Sequence, residues 1–202
     1  MSEVTEKFIE TYNANIQRQG ADKLLTWLKT TDFFTAPAST RFHGSYEGGL
    51  VEHSLNVFHE LSEEYDLYIK KALANVDSAK MNAESIAICG LLHDVCKANF
   101  YSVSMRNVKN EETGQWEKQP FYQVSDQFPY GHGEKSVFLI ERFMRLHVDE
   151  AVAIRWHMGG FDDAVRGGCF AEGDAYDKYP LALLLHIADM KATHLDERIV
   201  SK

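Results

Sequence analysis

The fold is decided by one stretch of sequence, Ala87-Ile88-Cys89-Gly90-Leu91-Leu92-His93-Asp94-Val95-Cys96-Lys97. It is an apolar run with helical character that ends in a histidine, an aspartate and, one turn further on, a lysine. A helix that is apolar on almost every face belongs inside a protein. Polar and charged side chains at the end of such a helix are costly to bury without partners. A metal ion would satisfy His93 and Asp94 together, provided that other parts of the chain supply further ligands.

Length and composition predict one ordinary globular domain. The chain has 202 residues, of which 45% are hydrophobic and 25% charged, enough for a sizeable core. We expect a single domain over residues 1–202, with residues 1–32 as a helical extension packed on the core. The charged N-terminus does not have the pattern of a secretory signal, and no run approaches the roughly 20 apolar residues that cross a bilayer. A cytoplasmic protein without membrane association is therefore expected.

The charge and the cysteines narrow the function. A net charge of −9 argues against an extended nucleic-acid surface, which needs a clustered basic face. It still allows a small phosphorylated substrate or a short oligonucleotide, held by a metal and a few cations. Cys89 and Cys96 lie among apolar neighbours and are interpreted as small core residues in a reducing compartment, while Cys169 lies in a glycine-rich loop. The sequence does not predict the oligomeric state.

The spacing of apolar residues predicts a mainly helical chain. Two segments, Phe100–Lys109 and Gln115–Ser125, depart from this helical spacing and are rich in Tyr, Val and Phe. They predict two strands that form a β-hairpin. The fold class is therefore predicted as all-α, a helical bundle with a small β-hairpin inserted at about residues 100–125. A polar break is expected at Asp77–Asn82 and a long loop at Phe161–Tyr179. The predicted helices are Glu3–Gln19, Asp22–Thr30, Leu50–Lys71, Ala83–Lys97, Gly131–Leu146, Asp149–Met158 and Leu181–Ile199.

Four polar residues lie on predominantly apolar helices, and these are three different helices. They are His53, His93, Asp94 and Asp189. Imidazole and carboxylate suit one or two divalent transition metal ions (Mn, Fe, Co, Ni or Zn), and Mg suits a site with two histidines less well. A lone buried histidine is often only a hydrogen-bonded core residue, and a salt bridge could explain one aspartate. Neither explanation accounts for all four residues together.

Two further histidines leave alternatives open. His132 opens a predicted helix, and His157 lies close to the end of another. Either could bind a second ion bridged to the first by Asp94, could hold a phosphate, or could be a partly exposed residue at a helix end. His186, one turn before Asp189, could orient that carboxylate.

The order of these residues resembles a known family. The matching segments are Gly48-Gly49-Leu50-Val51-Glu52-His53-Ser54-Leu55, Leu91-Leu92-His93-Asp94-Val95-Cys96-Lys97 and Ala188-Asp189. They resemble the HD superfamily of metal-dependent phosphohydrolases, whose pattern is a histidine, a His-Asp pair and a distant aspartate. The resemblance covers roughly residues 36–197. It looks closest to the HD domain of bacterial 3′→5′ exoribonucleases, which has a segment like Ala36-Pro37-Ala38 to His43, a Gly-His pair like Gly131-His132 and a later His-His-Gly motif.

The resemblance implies an HD-type helical bundle with a divalent metal site. Two departures matter: Met158 stands where a second histidine is expected, and there is no room for an oligonucleotide-binding barrel. A thioether is a poor ligand for Mn²⁺ or Mg²⁺, which weakens a second site. By the resemblance the first ion is bound by His53, His93, Asp94 and Asp189, and a second by His132 and His157.

The expected activity is hydrolysis of a phosphate mono- or diester of a nucleotide or short nucleic acid by a metal-activated water. Asp94 would bridge two ions, and it or a nearby histidine would take the proton. Lys97, with Arg155 or His43, would hold the phosphate oxygens, although Lys97 could equally be a solvated residue at a helix C-terminus. The alternatives are an HD-type di-iron oxygenase and a non-catalytic nucleotide-binding sensor.

Overall fold

A computed structural model describes residues 2–72 and 81–197. Helices predominate there, and an antiparallel hairpin of strands β1 (Tyr101–Lys109) and β2 (Trp116–Val124) is inserted between them. The predicted fold class is confirmed. The helices are α1 (Glu3–Asn15), α2 (Ala21–Leu28), α3 (Gly49–Ala72), α4 (Ala83–Leu92), α5 (His132–Glu141), α6 (Val148–Trp156), α7 (Asp163–Arg166), α8 (Ala171–Lys178) and α9 (Pro180–Lys191).

Helix α4 runs through the interior, as its apolar sequence predicts. The Asn82 side chain caps it by accepting a hydrogen bond from the Ser85 N–H at 3.0 Å. Every residue from Ser85 to Leu92 is buried. The α-helix ends before His93, and a 3₁₀ turn at Val95–Lys97 follows. The predicted helix Ala83–Lys97 is therefore too long, because its polar end, from His93 onwards, lies outside the α-helix although it is still inside the protein.

Gly90 lets α3 and α4 approach closely. A Cβ added at Gly90 would lie 2.5 Å from the Phe58 Cα in α3, closer than any side chain tolerates. The two helices pack on α6 and α9 around one continuous core, to which the fully buried Leu50, Ile88 and Leu185 contribute. This packing brings polar residues of α3, α4, α6 and α9 to one region of the interior.

An ion-pair network joins the N-terminal part to the core. The Arg18 guanidinium, just after α1, donates to Glu150 Oε1 at 2.8 Å and to Glu84 at 3.1 Å. The Ser85 hydroxyl also donates to Glu150, at 2.7 Å. Burial raises the pKa of Glu150, but the hydrogen bonds from Arg18 and Ser85 outweigh burial and hold it below its ordinary value. The network fixes the position of α6 against α4.

Several predicted boundaries are wrong. The loop expected at Phe161–Tyr179 contains α7 and α8, which are short and mostly exposed, so they show little apolar periodicity. The first, fifth and last predicted helices are too long: α1 ends at Asn15, α5 at Glu141, and α9 at Lys191, where a π-helical turn follows at Ala192–Asp196. Apolar residues beyond these ends continue the pattern although the backbone has left the helix. Residues 77–80 of the polar break and residues 198–199 lie outside the described part.

The hairpin follows its prediction to within a residue at each strand end. It is anchored near the body of the protein by Tyr101, whose hydroxyl donates to the Ala38 carbonyl at 3.1 Å. Among residues 2–72 and 81–197, no helix is long and apolar enough to cross a membrane.

We predict that Arg18→Met lowers the free energy of unfolding by about 3–5 kcal/mol, because the Glu150 carboxylate would stay buried without its cation. Urea unfolding at neutral pH measures this, with the exposed Lys7→Met on α1 as the matched control. The folded-state pKa of Glu150 lies below 4.5, so the ion pair stabilises above that pH and its contribution disappears as the pH falls through the folded-state pKa. Equal stability of wild type and Arg18→Met at neutral pH would contradict the assignment.

Candidate metal centre

The Asp94 carboxylate lies at the centre of a buried cluster of basic side chains. It follows α4 directly and is 2% exposed. Burial raises the pKa of Asp94, but Lys97 and His93 outweigh it and hold the pKa well below its ordinary value, so the group is ionised. Five basic side chains approach its oxygens: Lys97 at 2.6 Å, His132 at 2.8 Å, His93 at 3.4 Å, and His53 and His157 at 3.6 Å.

Three of these histidines are held through Nδ1, with Nε2 facing the cluster. The Nδ1–H group donates to a backbone carbonyl or a carboxylate in each case, which fixes ring orientation as in many metal-ligating histidines. The acceptors are Gly90 O for His93 at 3.0 Å, Ile154 O for His157 at 2.7 Å and Glu197 for His53 at 3.0 Å.

Not every nitrogen that faces the cluster has a partner among the described residues. His157 Nε2 is buried and has no hydrogen-bond partner among the described residues. His93 Nε2 and His53 Nε2 face each other at 3.3 Å, so they can share at most one proton. Buried polar atoms without partners are rare and costly. A divalent cation among these nitrogens and carboxylates would satisfy them, and the donor set fits a transition metal ion.

All six predicted ligands come together in overlapping groups. Each group offers atoms within 4.8 Å of one another, close enough to share an ion. Asp94 belongs to two of them, so two neighbouring ions would share this carboxylate. The groups are His53–His93–Asp189, His93–Asp94–His157, Asp94–Cys96–His132 and His43–His53–Glu197.

Asp189 reaches the cluster from α9, and its Oδ1 lies 3.3 Å from His53 Nε2. Burial raises the pKa of Asp189, but the hydrogen bond with His53 outweighs it and holds the pKa far below normal. The expectation that His186 orients Asp189 is wrong, because His186 Nδ1 bonds the His157 carbonyl at 2.7 Å. That contact is possible because Gly159, at φ +54°, leaves room for the imidazole ring.

A cavity of about 1010 Å³ adjoins the cluster. Asp94, Asp189 and His132 form part of its wall, together with Lys97 and His43. Burial and the nearby His53 lower the pKa of His43 to about 4, so this ring is neutral at physiological pH. Burial lowers the pKa of Lys97, but Asp94 outweighs it and keeps the ammonium charged. A ligand in this cavity would meet both side chains.

Arg155 does not reach this cavity. Its guanidinium pairs with Asp162 at 2.8 Å and with Glu134, and it lies 3.9 Å above the Trp156 ring. It lines a separate groove between α5 and α6. The structure therefore gives no support to the expectation that Arg155 holds a phosphate.

Sequence reasoning missed several residues of the cavity. Glu197 binds His53 and follows Asp189 by eight residues, about two helical turns, so helical spacing was a signal that could have found it. Arg41 and Phe42 lie in an irregular segment, and Phe161 and Arg166 lie in or beside a four-residue helix. For these four residues the sequence pattern contains no comparable signal.

The chain belongs to the HD domain family, whose sequence profile matches residues 50–193. HD domains bind divalent metals, which agrees with the clusters described above. A 66-residue segment, 33% of this chain, is 36% identical to a dihydroneopterin 2′,3′-cyclic phosphate phosphodiesterase from Methanocaldococcus jannaschii and spans 24% of that protein. No solved structure matches the chain significantly. These matches do not show the finer likeness to exoribonucleases.

We predict that Glu197→Gln weakens Mn²⁺ binding by about 10–100-fold, since loss of a carboxylate that orients a ligating histidine has effects of this size. Isothermal titration of the metal-stripped protein measures the affinity. Glu111→Gln, an exposed change in the hairpin turn, is the charge-matched control. If Glu197→Gln binds Mn²⁺ as tightly as the control does, Glu197 does not support His53 as a ligand.

Proposed function

We propose that this HD domain is a metal-dependent phosphohydrolase that cleaves a phosphate mono- or diester of a small, ring-bearing substrate such as a nucleotide. The observation that carries the proposal is the convergence of imidazole nitrogens and two carboxylates from separate helices beside an open cavity. The phosphodiesterase name of the archaeal relative supports the same chemistry.

The chain supplies ligands for up to two divalent ions. His53, His93, Asp94 and Asp189 would hold the first, and His132 and His157, with Asp94, would hold a second. Such an ion, when bound, lowers the pKa of a coordinated water and neutralises charge on a phosphoryl group. The protein contributes fixed ligand orientations through the Nδ1 hydrogen bonds.

Asp94 would serve as a metal ligand rather than as the proton acceptor. Its pKa is held well below normal by Lys97 and His93, and a carboxylate with such a low pKa is a weak base. Lys97 lies 2.6 Å from Asp94 Oδ2 and lines the cavity, so it can contact both this carboxylate and a phosphate oxygen. His43 lines the same wall as a neutral ring that is able to bind a phosphate hydroxyl.

The cavity wall holds cationic side chains as well as the carboxylates of Asp94, Asp189 and Glu197, and bound metal ions that offset these carboxylates would let it take a phosphorylated substrate despite the net charge of −9. Arg41 and Arg166 line the cavity in addition to Lys97. Three cations around one cavity suit a compact anion. They do not form the continuous basic face that would follow a long nucleic acid.

Two exposed aromatic rings support a ring-bearing substrate. Phe42 is 65% exposed and Phe161 52% exposed, and both line the cavity. Each ring has a guanidinium over it, from Arg41 at 5.4 Å and Arg166 at 5.7 Å. A flat heterocycle would cover this apolar surface by stacking, with its phosphate towards Lys97.

We predict that Asp94→Ala abolishes both divalent metal binding and hydrolysis while the folded state persists. The purified, metal-loaded protein is assayed against 2′,3′-cyclic nucleotides, nucleoside phosphates, cyclic dinucleotides and short RNA. The exposed Asp22→Ala on α2 serves as the control, and circular dichroism verifies folding. Turnover retained in Asp94→Ala would eliminate the proposed mechanism.

We further predict that Phe161→Ala raises KM for a base-bearing substrate by about 5–150-fold, since stacking on one aromatic ring contributes about 1–3 kcal/mol. Cleavage of a phosphate ester that lacks a ring should hardly change. Phe170→Ala is the matched control, because Phe170 is 89% exposed and does not line the cavity. Equal KM values for Phe161→Ala and Phe170→Ala would refute the stacking role.

A further inference from the structure

The Cys96 thiol lies beside the Asp94 cluster. It is 2% exposed, and its Sγ is 3.4 Å from His132 Nδ1 and 3.6 Å from His132 Nε2. His132 Nε2 in turn lies 2.8 Å from Asp94 Oδ1. Sulfur, nitrogen and oxygen atoms of three residues are thus within 4.8 Å of one another.

The local fold directs this thiol towards α5. Cys96 belongs to the 3₁₀ turn at Val95–Lys97, which packs against α5. Its backbone N–H donates to the Ser136 hydroxyl at 3.1 Å, which fixes the turn against the helix that carries His132. The Cys96–His132 contact therefore joins a 3₁₀ turn and a helix whose relative position is fixed by a hydrogen bond.

The other two cysteines have different surroundings. Cys89, in α4, is buried with its sulfur 4.0 Å from the Glu150 carbonyl oxygen. Cys169 is exposed. Within the described residues, the groups able to share a metal ion include Cys96 and neither of these two.

We propose that Cys96 is a metal ligand, and that its sulfur, with Asp94 Oδ1 and His132 Nε2, binds a thiophilic divalent ion such as Zn²⁺, Co²⁺ or Cd²⁺. The inference rests on the metal-binding part of the proposed function. Binding replaces the S–H bond by a sulfur–metal bond and releases one proton to solvent, so no oxidant or reductant is required.

The observed spacing suits such an ion. With Zn–S at about 2.3 Å and Zn–N at about 2.0–2.1 Å, tetrahedral geometry separates sulfur from nitrogen by about 3.5–3.6 Å. The separation between Cys96 Sγ and His132 Nε2 is 3.6 Å.

His157 is a second buried group near this cluster that points to an ion. Its Nε2 is fully buried, lies 3.6 Å from Asp94 Oδ1 on the same side as His132, and has no hydrogen-bond partner in the described part of the chain. His157 Nε2 approaches the same carboxylate oxygen as His132 Nε2, so an ion held there by sulfur, nitrogen and oxygen would lie near the nitrogen that lacks a partner. This donor set favours zinc or cobalt over Mn²⁺ and Mg²⁺, for which thiolate is a poor ligand.

The proposal changes the interpretation of Cys96 as a simple core residue. It also gives the second ion a ligand that compensates for the thioether of Met158, which lines the cavity. The two ions would then differ in kind, since the group His53–His93–Asp189 offers only nitrogen and oxygen.

The test loads the metal-stripped full-length protein with Co²⁺ and records its near-ultraviolet absorption. We expect a thiolate-to-cobalt charge-transfer band in wild type that is absent in Cys96→Ser and retained in Cys169→Ser. Zn²⁺ and Cd²⁺ affinities should fall more than about tenfold in Cys96→Ser, exceeding the change in Mn²⁺ affinity, because a ligand matters at least as much as its supporting residues. No band in wild type with Co²⁺ bound, or an unchanged band in Cys96→Ser, overturns the proposal.

A second measurement needs no variant, in case Cys96→Ser does not fold. X-ray absorption of the Zn²⁺-loaded wild type should show a sulfur neighbour at about 2.3 Å. A shell of nitrogen and oxygen alone overturns the inference even if the protein hydrolyses phosphate esters. A sulfur neighbour in a protein that cleaves none of the substrates tested contradicts the proposed function and leaves the ligand assignment standing.

Discussion

The structure depends on one buried carboxylate that is balanced by the side chains around it. Asp94 lies where an apolar helix ends inside the protein, and an ionised group there costs several kcal/mol unless it is paired. Lys97 and four histidines provide the compensation, and each of them requires a particular backbone path. Three features of the backbone bring these side chains to Asp94. They are the close approach of α3 and α4 at Gly90, the 3₁₀ turn after α4, and the packing of α6 and α9 on the same region.

The side chains of the site form two layers around Asp94. The inner layer of imidazoles and carboxylates has its rings fixed by Nδ1 hydrogen bonds to Gly90, Ile154 and Glu197. The outer layer consists of the cavity wall, in which the arginines and phenylalanines come from irregular or short segments. The cluster is thus held by the core helices, and under the proposed function the residues that select the substrate would lie on segments outside that core.

The inner layer was predictable from sequence because burial makes polar residues conspicuous. His53, His93, Asp94 and Asp189 interrupt apolar helical patterns, and the structure brings all four together as expected. Glu197 was missed although it follows Asp189 by eight residues, about two turns of the predicted last helix. Arg155 was placed wrongly because sequence shows a cation near His157 but not that Glu134 and Asp162 already pair with it. Helices α7 and α8 bury too little apolar surface to leave a periodic signal.

The central claim is that these side chains converge on a cation. Anomalous X-ray diffraction from crystals grown with Mn²⁺, collected at the manganese absorption edge, tests it directly. The account predicts a peak within bonding distance of the carboxylates of Asp94 and Asp189 and the Nε2 atoms of His53 and His93. Crystals that contain bound Mn²⁺ elsewhere but show no peak among these four residues would contradict it.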